Sequence, residues 1–385
     1  MKENKFSQYI TFKNVLILGV LITLGITFQQ LLTSKAKNFE IFTFATLDFW
    51  DAIKPYGEHW FRHGLDYYLY TPTFNVVFTP FALLPLWVSA FAWNLFNYLM
   101  LAWSIKLLPN ITTKQKSYLL LYLTPIIATS LMSFQYNVVV AYLFLFPYVL
   151  LERGKGCWAM LLIMLSVTTK IYGGVELLIV LFYPKFWRNV GWGILWAVAL
   201  VALPLINLSV GEYGDFLSSW VHELSTHQGT RKFETFFDIT LLWESRPAYQ
   251  MYMQVGIFFT IVGLTFARLR WRTDQLFRVG VLALVMGYAI LFSNSSEKHT
   301  YMIALAGYLY WWYLKPDKNL WDRIIFWVLF VVLVVIPIDL ICPKPLMELL
   351  LERMDLNQWV YLVAWLHLAY HTFFVKNQNR QIKIK

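Results

Sequence analysis

Charged side chains are scarce in this 385-residue chain: Asp, Glu, Lys and Arg make up 14% of it, against 58% hydrophobic and 19% aromatic residues. Soluble domains carry about a quarter charged residues, so a soluble globular fold is excluded and the chain reads as an integral membrane protein. Cysteine is almost absent. Cys157 and Cys342 match no metal-ligand or disulfide spacing, and packed thiols without a function are expected. Acidic residues are also few, 22 against 32 Lys and Arg, which leaves a formal charge of +10. The basic residues come as short clusters between apolar runs rather than as one patch, so they mark topology and not a nucleic-acid surface. There is no fixed-period repeat and no Pro- or Gly-rich linker. Residues 1–385 are therefore expected to form a single integral membrane domain, neither a solenoid nor an inverted-repeat transporter.

A crossing needs about 20 mostly apolar residues. Candidates lie at 15–32, 86–108, 117–131, 137–151, 157–172, 174–184, 189–209, 248–268, 278–292, 300–314, 321–341 and 358–375. The first follows Lys2, Lys5 and Lys13 and lacks a small-x-small cleavage site, so it is expected to stay as a membrane helix. The run 73–84 is too short to span and ends in breaks at Pro80 and Pro85. Treating it as a half-span puts about two thirds of the Lys and Arg on one side, so the positive-inside rule predicts about 12 crossings with both termini cytoplasmic. The expected fold is an all-α polytopic membrane bundle in the cytoplasmic (inner) membrane, with a first outer loop at 33–72 and a large outer loop at 210–247.

This topology brings five polar elements to the outer, periplasmic face. The first, TLDFWDAIKPYGEHWFRHGLDYYLYTP (Thr46–Pro72), sets Asp48, Asp51, Glu58, His59, Arg62, His63 and Asp66 among aromatic residues. A carboxylate at a half-dry interface retains protons and serves as a general base. Asp48 is the first candidate and Asp51 the rival, with Asp66 a third; a solvated loop acid is the plain alternative for each. The second is Ser133-Phe134-Gln135-Tyr136-Asn137, whose amides suit sugar hydroxyls or phosphate, although Asn137 alone reads better as a helix cap. The third is Lys170, a lone cation near hydrocarbon that either meets a lipid-linked phosphate or snorkels to the interface. The fourth is the loop 210–247, where His222, Glu223 and His227 miss the HExxH spacing of a zinc site and Arg231 is an outer contact for an anionic head group. The fifth is the turn 293–301. His299 sits there at a helix start, a place that favours anions, with Glu297 to orient it or to hold a metal. No metal and no cofactor is expected overall.

In this order the five elements resemble glycosyltransferase family 87, membrane enzymes of the GT-C fold that use polyprenyl-phosphate sugars. The family's acidic-Phe pair is matched by Asp48-Phe49, its Gly and Tyr by Gly64 and Tyr67 or Tyr68, and its Tyr-Pro-Pro by Tyr70-Thr71-Pro72. Its Pro-rich break is matched by Pro80 to Pro85 and its Gln-x-Asn by Gln135 and Asn137. Its helix-end Lys is Lys170, with Gly173 where the family has Pro, and its late Ser-Pro turn followed by Trp and His is matched loosely by Ser293-Asn294 and His299. The resemblance implies a GT-C-like bundle. It also implies inverting transfer of a hexose, mannose-like, from a polyprenyl-phosphate sugar to a lipid or glycan acceptor. By the same resemblance Asp48 is the base, while Gln135, Asn137, Lys170 and His299 bind the donor phosphate or sugar; Asp51, Tyr70, Arg231 and Glu297 are secondary candidates. A polysaccharide polymerase or ligase, or a lipid-linked-sugar transporter or flippase, is the competing reading.

Overall fold

The computed structural model describes residues 8–57, 63–226, 247–292, 297–338 and 340–375, and among these every regular element is helical. Helices α1 (Phe12–Leu32), α2 (Lys37–Trp50), α3 (Pro72–Ala82), α4 (Leu86–Leu107), α5 (Thr113–Met132), α6 (Asn137–Glu152) and α7 (Gly156–Thr169) form the first half. A 3-10 turn, Ile171–Glu176, leads into the short α8 (Leu177–Val180). Then come α9 (Phe186–Ala202), α10 (Val210–Thr226), α11 (Pro247–Ala267), α12 (Gln275–Leu291), α13 (Tyr301–Leu314), α14 (Leu320–Leu329), α15 (Lys344–Met347) and α16 (Leu356–Phe373).

By length and hydropathy, two described helical stretches, Phe12–Leu32 and Phe186–Ile206, suffice to cross a membrane. The pair α3 and α4 passes the same test jointly, but the chain bends by 114° at the Pro85 break between them. Each of the other apolar segments contains helix, several shorter than a full crossing. The segment 174–184 holds only the 3-10 turn and α8, and 321–341 loosens into a π turn at Phe330–Val335. Large apolar side chains stand exposed on the outside, among them Trp187 at 80% and Phe259 at 64%, as they do on a bundle that faces lipid. The described chain is thus an all-helical fold consistent with a membrane protein. Two outer stretches differ from their reading as loops: 37–50 is helix α2, and 210–226 is helix α10, with its continuation at 227–246 outside the described residues.

Polar groups inside the bundle find partners on neighbouring helices, because hydrocarbon supplies none. Thr27 back-bonds to Thr23 C=O at 2.7 Å and accepts from Asn94 Nδ2 at 2.9 Å, joining α1 to α4. Close packing at small residues does the rest. A Cβ on Gly307 would lie 2.9 Å from Ala283 Cα, so α13 packs almost backbone to backbone on α12. Arg278 of α12 donates to Glu152 of α6 at 2.7 and 3.0 Å, and Tyr183 donates to the same carboxylate at 2.6 Å. Both cysteines are free thiols.

A buried ion pair stripped of one member leaves a charge without compensation. Arg278→Met is therefore expected to destabilise the protein by about 3 kcal/mol. Adding Glu152→Met should recover most of the loss, with thermal unfolding in detergent as the measurement.

Candidate active site

Helix α2 is the strut on which the site is laid out. At its start Asn38 Nδ2 donates to Ser133 C=O at 2.7 Å and Phe39 packs on Phe134, with ring centroids 5.3 Å apart. One turn further Phe42 meets the edge of Tyr70 at 5.2 Å and Phe74 at 5.2 Å. At its end Asn207 donates to Phe49 C=O at 2.8 Å, and the Trp50 indole donates to Thr79 at 2.8 Å. These contacts run from the 133–137 turn to the last turn of the helix, so α2 is fixed along its length.

Asp48 lies in that last turn. It is 7% exposed rather than a solvated loop acid, and its Oδ2 is 3.0 Å from His63 Nε2. The His63 ring is stacked on Phe44 at 4.6 Å and 13°. Phe44 and Asp48 are one helical turn apart, so they share a face and clamp one imidazole between a ring and a carboxylate. Asp51 caps the C-terminus of α2 and is exposed, and Asp66 is exposed as well. From Phe42 to Asp48 the helix advances about 9 Å and turns by about a third of a circle. Phe42, which packs on the group around Tyr70, and Asp48 thus lie on different faces of the helix.

Three turns distant in the chain converge on that group. Glu297 Oε2 accepts from Gln135 Nε2 at 2.9 Å, and Gln135 Oε1 accepts from Asn137 Nδ2 at 2.6 Å. Asn137 thus does not cap α6, whose N-cap is Tyr136; its amide points back to Gln135. His299 is buried, and its Nε2 lies 2.9 Å from Glu297 Oε2, an ion-pair distance without the alignment of a hydrogen bond. Lys170, the C-cap of α7, adds its positive charge to the field on Glu297 and sits over the Tyr70 ring at 5.4 Å. The His299 imidazole, then Gln135 and Lys170, hold the Glu297 carboxyl down to about 2 against the effect of partial burial. Tyr136 completes the wall, sharing a hydrogen bond with Thr169 at 3.1 Å and meeting Tyr70 edge-on at 5.4 Å.

Lys170 is aimed by its neighbours. The Thr71 hydroxyl donates to Thr168 C=O, which ties the Tyr70 segment to the end of α7. Gly173 closes the turn after Lys170: a Cβ there would fall 2.5 Å from Ser166 Cβ and Oγ and 3.0 Å from its backbone. The departure from the family's Pro therefore coincides with a backbone approach that admits no side chain.

The structure brings together Gln135, Asn137, Lys170, His299, Glu297 and Tyr70, and it sets Asp48 on α2 beside His63. Arg231 lies outside the described residues, as do His59 and Ser293 to Ser296. Two features were not assigned from sequence: the contact of His63 with Asp48, and Glu297 as the hub of the group. Both depend on chain reversals that no local spacing reports. The cation, imidazole and two amides gathered around the ionised Glu297 can donate to the oxygens of a phosphate ester, and the carboxylate on the strut can accept a proton.

Two outcomes are expected. Gly173→Ala should cost about 1–3 kcal/mol of stability and weaken donor binding, read by unfolding and by donor titration. Glu297, with its carboxyl lowered, contributes stability that is complete above its ordinary value of 4.5 and is lost as pH falls from there toward 2. A pH series of thermal unfolding should therefore show a Glu297-dependent loss only in that acid window, and none in Glu297→Gln.

No curated protein and no solved structure matches the chain. The family model for glycosyltransferase family 87 matches residues 68–294, a stretch that carries Tyr70, Gln135, Asn137 and Lys170. That match covers more than half of the sequence, and the chain belongs to glycosyltransferase family 87, which makes it a glycosyltransferase.

Proposed function

We propose that this glycosyltransferase moves a hexose, mannose-like, from a polyprenyl-phosphate sugar to a lipid or glycan acceptor at the outer face of the cytoplasmic membrane. The observation that carries the reading is the convergence of the 133–137, 168–173 and 297–300 turns on one cluster of phosphate-binding groups, with the buried Asp48 carboxylate in the last turn of α2, the helix that packs on the Tyr70 wall of that cluster. About 12 crossings with cytoplasmic termini would place the cluster on the periplasmic side, where lipid-linked sugars present their head groups after translocation.

The chemistry follows from the placement. Asp48 takes the proton of the acceptor hydroxyl as its oxygen attacks the anomeric carbon. The bond from that carbon to the phosphate oxygen breaks on the opposite face, and the configuration inverts. The departing polyprenyl phosphate gains one negative charge, and Lys170 and His299 stabilise it where the charge develops. Gln135 and Asn137 supply hydrogen bonds to phosphate or sugar oxygens. His63 holds the Asp48 carboxylate in one orientation and so acts as a positioning residue, and Glu297 does the same for Gln135 and His299. Tyr70 forms a wall of the donor site, and Arg231 is an outer contact.

Asp48→Asn keeps the shape and a partner for His63, so folding should survive while kcat falls by about 10²–10⁴-fold in an assay with purified polyprenyl-phosphate sugar. Lys170→Met should lower kcat and kcat/KM together, because the charge it meets develops in the transition state. Full activity in Asp48→Asn would remove Asp48 from the reaction and leave Asp51 as the acid to test.

A further inference from the structure

The end of α13 opposite His299 carries a second group of ionisable side chains that the transfer reaction does not use. With 14 residues in α13, the two ends are separated by about 21 Å. There Asp322, in the first turn of α14, is fully buried, and its carboxylate is fixed by the Asn319 N–H at 2.7 Å. His367 and His371 stand one turn apart on α16 with ring centroids 4.6 Å apart. One ligand atom from each of Asp322, His367 and His371 lies within 4.8 Å of the others.

Two details distinguish this group from an ordinary buried ion pair. Both ring nitrogens of His367 are buried without a hydrogen-bond partner, although Nε2 is only 3.5 Å from Asp322 Oδ1. Leaving a buried polar atom unsatisfied is unfavourable, and an ion at that point would satisfy one of these nitrogens. Moreover, a cation already sits at the centre. Lys315 Nζ donates to both Asp322 oxygens at 2.6 and 2.7 Å and lies 3.3 Å from His371 Nε2. The position is thus one that the surrounding carboxylate and imidazole make favourable for positive charge.

We propose that Asp322, His367 and His371 form a binding site for a divalent transition-metal ion of the zinc class, in which Lys315 is the resident cation that the metal displaces. One carboxylate oxygen and two imidazole nitrogens are a donor set that zinc accepts, and two histidines at i and i+4 on a helix are a common half of such a set. Bonds of about 2.0–2.2 Å require the three ligand atoms to draw together by roughly 1 Å, a change within reach of side-chain rotation. Lys315 has somewhere to go. It and His371 line a small cavity whose wall also carries Asp274, a second carboxylate for the displaced ammonium. A bound ion would join the first turn of α14 to α16 on the side expected to face the cytoplasm. It has no part in the transfer step.

The test uses the full chain without a histidine tag, in nanodiscs, stripped with a chelator and titrated with Co²⁺ and then Zn²⁺. The readouts are the visible absorption of bound cobalt and the thermal unfolding temperature. One saturable ion per chain is expected, with unfolding shifted upward by zinc. His367→Ala and His371→Ala should each weaken binding by at least about tenfold while transferase turnover, read as a control for folding, stays near wild type. Lys315→Met should bind at least as tightly as wild type, since the competing cation is gone. Absence of saturable binding in wild type, binding that survives removal of both histidines, or abolition of binding by Lys315→Met in a chain that retains transferase turnover would each overturn the proposal.

Discussion

The carboxylate of Glu297 is the interaction on which the candidate site depends. It receives Gln135 from one turn, faces His299 within its own turn and balances Lys170 at the end of α7. Three helix ends with no sequence proximity are held at a common point by one ionised group. The side chain is 58% exposed, so its strength comes from the number of partners rather than from dryness. Without it, Gln135, His299 and Lys170 would lose the one charged group they share. With it, the cluster stays assembled and can meet a phosphate.

Helix α2 gives the second constraint, one of distance. The aromatic residues Phe39 and Phe42 fasten its first half to the 133–137 turn and to Tyr70, while Asn207 and Trp50 fasten its end. A base on a loop would wander relative to the phosphate cluster. A carboxylate on a helix whose two ends are anchored keeps one spacing, which the proposed inverting transfer needs because nucleophile and leaving group occupy opposite faces of one carbon. His63, stacked on Phe44, removes the remaining freedom at χ of Asp48. Thus part of the aromatic richness of Thr46–Pro72, which on composition alone fits an interfacial belt, serves as packing between elements: Phe49 and Tyr56 meet Phe216, and Tyr68 lies between Tyr56 and Tyr70.

Much of this was legible in the sequence, and the rest was not for physical reasons. Hydropathy located the helices because lipid contact demands apolar surface over a fixed length, and the oddly placed polar residues Gln135, Lys170 and His299 stood out against that background. Their common side is what charge asymmetry leads one to expect, while their meeting is a matter of tertiary contacts. The helical state of 37–50 is hidden in the sequence because Thr43, Thr46, Phe42 and Ile41 are poor or neutral helix formers, so the stretch reads as part of the first outer loop. Asn137 was misjudged as a cap, since its local position allows one and only the neighbour Gln135, held by Glu297, draws it away. His63 and the trio Asp322, His367 and His371 depend on tertiary contacts between elements far apart in the chain, so no spacing rule announces them.

The most direct measurement is a structure of the protein with a polyprenyl-phosphate sugar analogue whose scissile bond is inert. The account predicts the phosphate within about 4 Å of Lys170 Nζ and of the His299 ring, with Asp48 on the far side of the sugar facing the anomeric carbon through the acceptor position. A phosphate bound away from the Gln135, Lys170 and His299 turns, or a sugar whose anomeric carbon faces away from Asp48, would contradict it.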